Sequence, residues 1–290
     1  MSNRLSRRGF AGLATAGLFG RPGAHARSPL TARQIVERIQ QKIGVPWNPK
    51  SYRDTFKTGD PETPVKGIAS TFMATLDVLQ RAHTRGRNFV ITHEPTFWSD
   101  ADKTDLLADD PIYKFKTDFV EKNRLIVWRS HDHMHQRRPD PIFLGWNKAL
   151  GWENYQSPDD PRVYKLPPAT VESVARHMAA RLATRSIRVV GDPQLRVSTA
   201  GRGGHDLVSN LNMLPRVDLL IVSEARERDT IEYVRDSVLA GQKKGMILIS
   251  HEAGEEAGMN EFAQWLRTIV TEVPVDFIST TDVFWMPGLI

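Results

Sequence analysis

Three short segments of this chain place histidine next to carboxylate. They are His93-Glu94, His131-Asp132-His133-Met134-His135, and His251 with Glu255 four residues on. Together they hold five of the nine histidines. Imidazole nitrogen and carboxylate oxygen are the donors that hold zinc, iron or manganese. The chain has no cysteine, so thiolate ligands, disulfides and a cysteine nucleophile are all excluded. A site drawn from three distant segments needs each one delivered by a rigid element. Each follows an apolar, strand-like run: Asn88 to Thr92, Leu125 to Trp128 and Met246 to Ile249. In open α/β sheets ligands bind at the carboxyl ends of strands.

Taken singly, each segment has a plainer reading. His93-Glu94 is also a strand end with a solvated carboxylate, closed by Pro95. The run at 131–135 is also a polar loop. If extended, it turns His131, His133 and His135 to one face; if helical, it pairs His131 with His135 alone. His251 and Glu255 lie one helical turn apart, and a carboxylate at a helix start is favoured by the macrodipole without any metal. All three together, each at the end of a strand, point to a metal centre.

The N-terminus carries a separate message. Ser6-Arg7-Arg8-Gly9-Phe10, an Ala- and Gly-rich run to Gly20, and Ala24-His25-Ala26 occur in the order of a twin-arginine export signal with its cleavage site. Residues 1–26 are therefore expected to be removed, placing the mature protein in the periplasm or an equivalent exported compartment. Removing their four arginines takes the formal charge from +5 to +1. The basic balance is then no argument for nucleic acid. No later run is long and apolar enough to anchor the chain in a membrane. The remaining residues suffice for one large or two small domains.

Hydrophobic periodicity predicts helices over 31–42 (Thr31 as N-cap), 76–85, 112–122, 170–184, 230–240 and 260–271. It predicts strands over 67–72, 88–92, 125–128, 187–190, 195–198, 219–222, 246–249 and 275–278. Strands separated by helices imply an α/β fold with mixed, largely parallel sheets flanked by helices. Val45 to Pro64 is expected to be a loop. The proline-rich stretch Ser157 to Pro168 is expected to link two α/β subdomains with the metal site between them. On this division 27–156 and 215–290 form the metal-binding subdomain and 157–214 an inserted one.

The stretch Val65-Lys66-Gly67-Ile68 through Asp77, Leu79, Ala82 and Gly86 to Ile91-Thr92-His93-Glu94-Pro95 resembles the NIF-three-like dinuclear metal-centre family. Many members of that family are labelled GTP cyclohydrolase I type 2 homologues. Its His-x-x-x-Asp segment corresponds to His131–His135, its Gly-rich turn to Ala200-Gly201-Arg202-Gly203-Gly204, its Asp-x-x-hydrophobic-x-x-Glu element to Asp218–Glu224, and its closing His-x-x-x-Glu to His251 and Glu255. The likeness runs in order over about residues 30 to 285. It implies metal ligation by His93, Glu94, His131, His135, His251 and Glu255, one or two divalent ions per chain, and a ring-shaped homo-oligomer such as a hexamer. Two positions depart from the pattern. Glu94 stands where the family has the second His of His-His-Pro, and His135 stands where it has Asp. The inventory of four imidazoles and two carboxylates is the same. A carboxylate can bridge two cations and a neutral imidazole cannot, so the exchange leaves one metal or two open.

A divalent ion with an open position acidifies water and polarises a phosphoryl or carbonyl oxygen. The expected activity is therefore metal-dependent hydrolysis of a small phosphoester or amide; the alternative is a metal carrier, sensor or scaffold without catalysis. GTP is a poor expectation for an exported protein. Glu252 and Glu256 are candidate general bases, with a solvated helix start as the plainer reading. The Ala200–Gly204 turn, with Arg202 and His205, is the candidate binding site for an anionic substrate. No Walker-type loop, G-x-S-x-G elbow or dinucleotide fingerprint is present.

Overall fold

A computed structural model describes residues 29–287. The expected export signal lies outside the described residues. The elements are α1 (Ala32–Lys42), β1 (Phe56–Thr58), β2 (Ile68–Met73), α2 (Leu76–Thr84), β3 (Phe89–Glu94), α3 (Pro111–Lys122), β4 (Ile126–Arg129), α4 (Asp132–Gln136) and α5 (Pro141–Leu150). They continue with β5 (Val163–Thr170), α6 (Val171–Leu182), β6 (Arg188–Val190), β7 (Arg196–Arg202), α7 (Leu207–Met213), β8 (Leu219–Ser223), α8 (Glu232–Leu239), β9 (Gly245–Ile249), α9 (His251–Ile269) and β10 (Val275–Phe277). Two five-stranded sheets form, in the orders β1-β4-β3-β2-β10 and β5-β7-β8-β9-β6. In the first, only the edge strand β1 runs antiparallel to its neighbour. In the second, β7, β8 and β9 are parallel and both edges are antiparallel. The α/β architecture with mixed, largely parallel sheets is as expected. The central strands β3, β8 and β9 are buried throughout, which is why they lack alternation in the sequence.

Several boundaries differ from expectation for identifiable reasons. The stretch expected as a linker contains β5, whose Pro167 and Pro168 sit on an edge strand where the register with β7 shifts; an edge tolerates proline because no partner needs its missing N–H. β8 and β9 belong to the second sheet, so a division at 214 cuts through that sheet. The chain at 45–64 contributes β1, paired to β4. α5 begins with Asp140, whose carboxylate accepts the Ile142 N–H at 2.8 Å, followed by Pro141 in the first turn. α7 likewise starts at the cap Asp206.

The helix expected over 260–271 starts at His251, a full nine residues earlier. Gly254 and Gly258 hide its first turns, since glycine disfavours helix. Their use is close packing. A Cβ on Gly258 would lie 2.5 Å from the Ile142 Cα of α5, and one on Gly145 of α5 would lie 2.4 Å from the Ala257 backbone. α9 thus presses onto α5 and also contacts β2, β8 and β10, so one helix touches both sheets. The Ser70 hydroxyl of β2 donates to the Met259 carbonyl at 2.8 Å, pinning the helix to the first sheet.

Because the atoms in the way include the Ile142 Cα and the Pro141 carbonyl oxygen, backbone atoms that cannot swing aside, Gly258→Ala is expected to destabilise the protein by about 3 kcal/mol. A urea midpoint lowered at unchanged slope checks this; an unchanged midpoint refutes the close-packing account.

Candidate metal centre

The carboxyl ends of five strands face one another. β3 ends in His93-Glu94, β4 leads to His131, β7 to His205, β8 to Glu224 and β9 to His251. α9 adds Glu255 one turn after His251. The short helix α4 starts after His131 and brings His135 back beside it, so the helical alternative for this segment is the one adopted. The His93 and His131 rings are stacked with centroids 4.5 Å apart, and His135 meets them edge-on at 5.0 and 4.8 Å. His205 and His251 lie 4.2 Å apart.

All five imidazoles are oriented alike. Nδ1 of His93 faces the Ser130 carbonyl at 3.1 Å and Nδ1 of His205 the Ser223 carbonyl at 2.7 Å. Nδ1 of His131 faces Asp132 at 3.0 Å, that of His135 faces Asp140 at 2.9 Å, and that of His251 faces Glu224 at 3.2 Å. Carbonyls and carboxylates only accept, so each Nδ1 carries a proton and Nε2 is the nitrogen available to a metal, on His251 only once the extra ring proton of the metal-free protein has left. An oxygen on Nδ1 fixing the ring while Nε2 faces inward is the usual outer support of a metal-bound histidine.

Glu255 occupies the middle. Its Oε2 is 3.3 Å from His93 Nε2 and 3.2 Å from His251 Nε2, and its Oε1 is 3.9 Å from His205 Nε2. Yet His93 Nε2, His251 Nε2 and Glu255 Oε2 are buried with no hydrogen-bond partner among the described residues. Buried polar atoms left unpaired are costly, and a cation between them would satisfy all three. Donor atoms of His93, His131 and His135 lie within 4.8 Å of one another, as do those of His93, Glu94 and Glu255, and those of His205, Glu224 and His251. The residues present therefore fit a metal held by nitrogen and oxygen.

Protonation in the metal-free protein follows from this crowding. Burial pushes His251 down, but Glu255 and Glu224 outweigh it and bring it up to about 10. Burial pushes Glu255 up, but the His251 and His93 rings hold it well below the usual carboxylate range. Burial lowers His93 and His205. Burial also opposes the charged form of His135, but Asp140 outweighs it and raises that ring.

Two buried arginines hold the carboxylates. Arg129 donates from Nε to the His93 carbonyl at 2.8 Å and from Nη2 to Glu94 Oε2 at 3.2 Å. Arg202 donates from Nη2 to the Gly254 carbonyl at 3.0 Å and to Glu255 Oε1 at 3.5 Å, with its guanidinium over the Phe143 and Trp146 rings. The expected role of Arg202 in substrate binding is thus corrected: it is buried against α9 and supports Glu255. The last three backbone N–H groups of the Gly-rich turn are also spent. The N–H groups of Arg202, Gly203 and Gly204 go to the Arg162 carbonyl, the Ile221 carbonyl and Asn210 Oδ1.

The two expected general bases are also displaced. Glu256 accepts from Ser279 Oγ at 2.8 Å and Thr280 N at 3.1 Å. Glu252 is buried, and burial raises its carboxyl. Positions one residue after His251 and Glu255 are turned about 100° around the helix, and neither glutamate lines the cavity in front of the centre. That cavity has a volume of about 700 Å³ and is lined by Glu94, His131, His135, His205, Glu224, His251 and Glu255, with Arg53, Met73, Trp98 and Asp100 among the other walls. His133 is absent from it. Its ring stacks on Trp47 at 3.7 Å, its Nδ1 pairs with Asp54, and its Nε2 accepts the Asn48 N–H at 2.7 Å. Asp54 also accepts the His131 and His133 N–H groups, anchoring α4. Asp54 and Trp47 left no sign in the sequence, because the surrounding stretch has no periodicity. Glu224 was visible only as the end of the Asp218–Glu224 element. It adopts φ +74°, a left-handed conformation that costs a non-glycine residue on the order of 1 kcal/mol.

The sequence profile described as Duf34/NIF3 (NGG1p interacting factor 3) matches residues 31–283. A hypothetical protein from Staphylococcus aureus, SA1388, superposes with a TM-score of 0.68 at 15% identity, covering 89% of this chain and 99% of that one. A Bacillus cereus protein related to NIF3 gives 0.68 at 12% identity over 89% and 99%. Reduced HcgD from Methanocaldococcus jannaschii gives 0.58 at 15% identity over 87% and 98%. These likenesses establish a shared fold. No curated protein matches the sequence.

With His251 protonated up to about 10 in the metal-free protein, an ion entering at neutral pH must displace that proton. Zinc uptake at pH 7.5 is expected to release at least about one proton per chain, and affinity to rise with pH until that group is deprotonated. Calorimetric titrations in two buffers of different ionisation enthalpy measure the release; equal heats in both would contradict it.

Proposed function

The chain belongs to the Duf34/NIF3 family, and from that premise we propose that it binds divalent transition-metal ions and, in an exported compartment, hydrolyses a small phosphoester or amide. One observation carries the metal reading: five clustered imidazoles have Nδ1 facing an outer oxygen, and those of His93, His205 and His251 turn Nε2 toward Glu255, whose buried Oε2 has no hydrogen-bond partner among the described residues. A bound divalent ion with an open position would acidify water and polarise a substrate oxygen. His93, His131, His135 and Glu255 are the innermost ligands in this reading. Imidazole and carboxylate suit zinc, iron or manganese alike.

The cavity favours catalysis over storage. Its volume of about 700 Å³ is that of a small-molecule site, and it opens directly onto the ligand side chains. Glu94 replaces the displaced Glu252 and Glu256 as the base. Arg129 holds its Oε2 at 3.2 Å, while Oε1 stands 3.5 Å from His131 Nε2. Burial raises this carboxyl, but His131, His93, His251 and Arg129 outweigh it, so it is ionised and can take a proton at Oε1. Met73, Pro95 and Trp98 supply an apolar wall that limits water.

Metal analysis of the purified full chain is expected to find one to two equivalents of a transition metal. His93→Ala should lower that content while the protein stays folded, and Glu256→Gln should leave it unchanged. A folded protein that takes up no metal refutes the metal reading. Loaded protein should turn over p-nitrophenyl phosphoesters or anilides, with Glu94→Gln reducing the rate about a hundredfold. Full metal occupancy without any turnover would instead identify a carrier.

A further inference from the structure

We propose that Trp98 is a stacking platform for a flat aromatic ring of the substrate, which makes the site selective for aryl or heteroaryl esters and amides. The proposal rests on the metal-dependent hydrolysis proposed above and names the substrate class of that same site. Trp98 stands four residues after Glu94, on the loop that leaves the carboxyl end of β3. It lines the cavity in front of the metal centre together with Met73 and Pro95. Tryptophan is a large apolar residue, yet this one is 56% exposed.

An exposed indole on a loose loop would mean little, but this loop is braced. Trp98 has φ +60° and Asp102 φ +51°, a backbone region that bulky side chains rarely adopt. Such conformations persist where the surroundings impose them, and they gather at ligand sites. Here Asp102 accepts the Thr96 N–H at 2.7 Å and the Phe97 N–H at 2.8 Å, and its other oxygen faces the buried Lys57 ammonium at 3.2 Å. The buried Lys116 ammonium donates to the Thr96 carbonyl and lies over the Trp98 ring, 5.1 Å from its centroid. Arg129, which also holds Glu94, donates to the Asp100 carbonyl. Buried cations thus fix the indole relative to the metal ligands.

The charges of the cavity set the orientation of the ligand. Arg53 also lines it, but its guanidinium is engaged by Asp100 at 2.6 and 3.0 Å and by Asp132 at 3.4 Å. A phosphoryl or carbonyl group is therefore drawn to the metal rather than to Arg53, and the rest of the substrate lies along Met73, Pro95 and Trp98. Lys116 covers one face of the indole, which leaves the other for the ring. An aromatic ring laid there gains stacking beyond the burial of apolar surface, whereas an aliphatic group gains burial alone.

The test is calorimetric titration of the zinc-loaded full chain with phenylphosphonate and cyclohexylphosphonate, which are alike in size and differ in flatness. Methylphosphonate is the reference for the metal end. The wild type is expected to bind the phenyl compound about fivefold more tightly than the cyclohexyl one. Trp98→Leu should bring the two to equal affinity and leave methylphosphonate binding unchanged, which also shows that the variant is folded. Trp98→Phe should keep most of the preference. Equal affinities in the wild type, or a preference that survives Trp98→Leu, overturn the stacking role, while methylphosphonate binding leaves the hydrolase reading intact. Trp98→Leu and Trp98→Phe proteins that both change in oligomeric mass and lose methylphosphonate binding also overturn it, since Trp98 is then a contact between subunits. A wild type that binds none of the three phosphonates overturns both readings.

Discussion

The buried carboxylate of Glu255 is the constraint around which this protein is arranged. A charge removed from water must be met by nearby partners or it destabilises the fold. Here the partners come from both sheets: His93 from the first, Arg202, His205 and His251 from the second. That meeting depends on α9, which carries His251 and Glu255 in its first turns and reaches both sheets. Gly258 lets it lie against α5, Gly254 lets it pass close to Ser223 of β8, and a hydroxyl of β2 holds its backbone. Packing and ligand geometry are thus one problem, solved by one helix.

Around this centre lies a shell of oxygens whose effect is directional. Ser130, Asp132, Asp140, Ser223 and Glu224 each hold one Nδ1. Arg129 and Arg202 fix the two inner carboxylates and balance part of their charge. In the metal-free state the cluster meets its charge with protons on imidazole, chiefly on His251. A cation offers the same compensation, so metal and proton compete for one set of lone pairs. Burial of the floor and exposure of Glu224 and His205 give the centre a closed side and an open side.

Much of this was legible in the residues. Buried strands such as Phe89–Glu94 and Leu219–Ser223 are continuous apolar runs, and the ligands His93, His131, His135 and His251 stand at or just beyond strand ends. The family likeness seen in the same motifs agrees with the profile match. What the sequence did not reveal depends on tertiary packing. Gly254 and Gly258 weaken the helical signal of α9, and only its contacts explain them. Pro167 and Pro168 disguise an edge strand as a linker. The separation of Glu252 and Glu256 from His251 and Glu255 is a matter of helix rotation, visible only once the helix start is known. Arg202 and His205 were found together in one turn, but their opposite roles follow from where each side chain ends.

The central claim is that imidazole Nε2 atoms converge with Glu255 on a metal. Zinc K-edge X-ray absorption of the zinc-loaded full chain tests it most directly. The account predicts a first shell of nitrogen and oxygen at about 2.0–2.1 Å with the outer-shell scattering of several imidazoles per zinc. A shell of oxygen alone, without imidazole scattering, would contradict it.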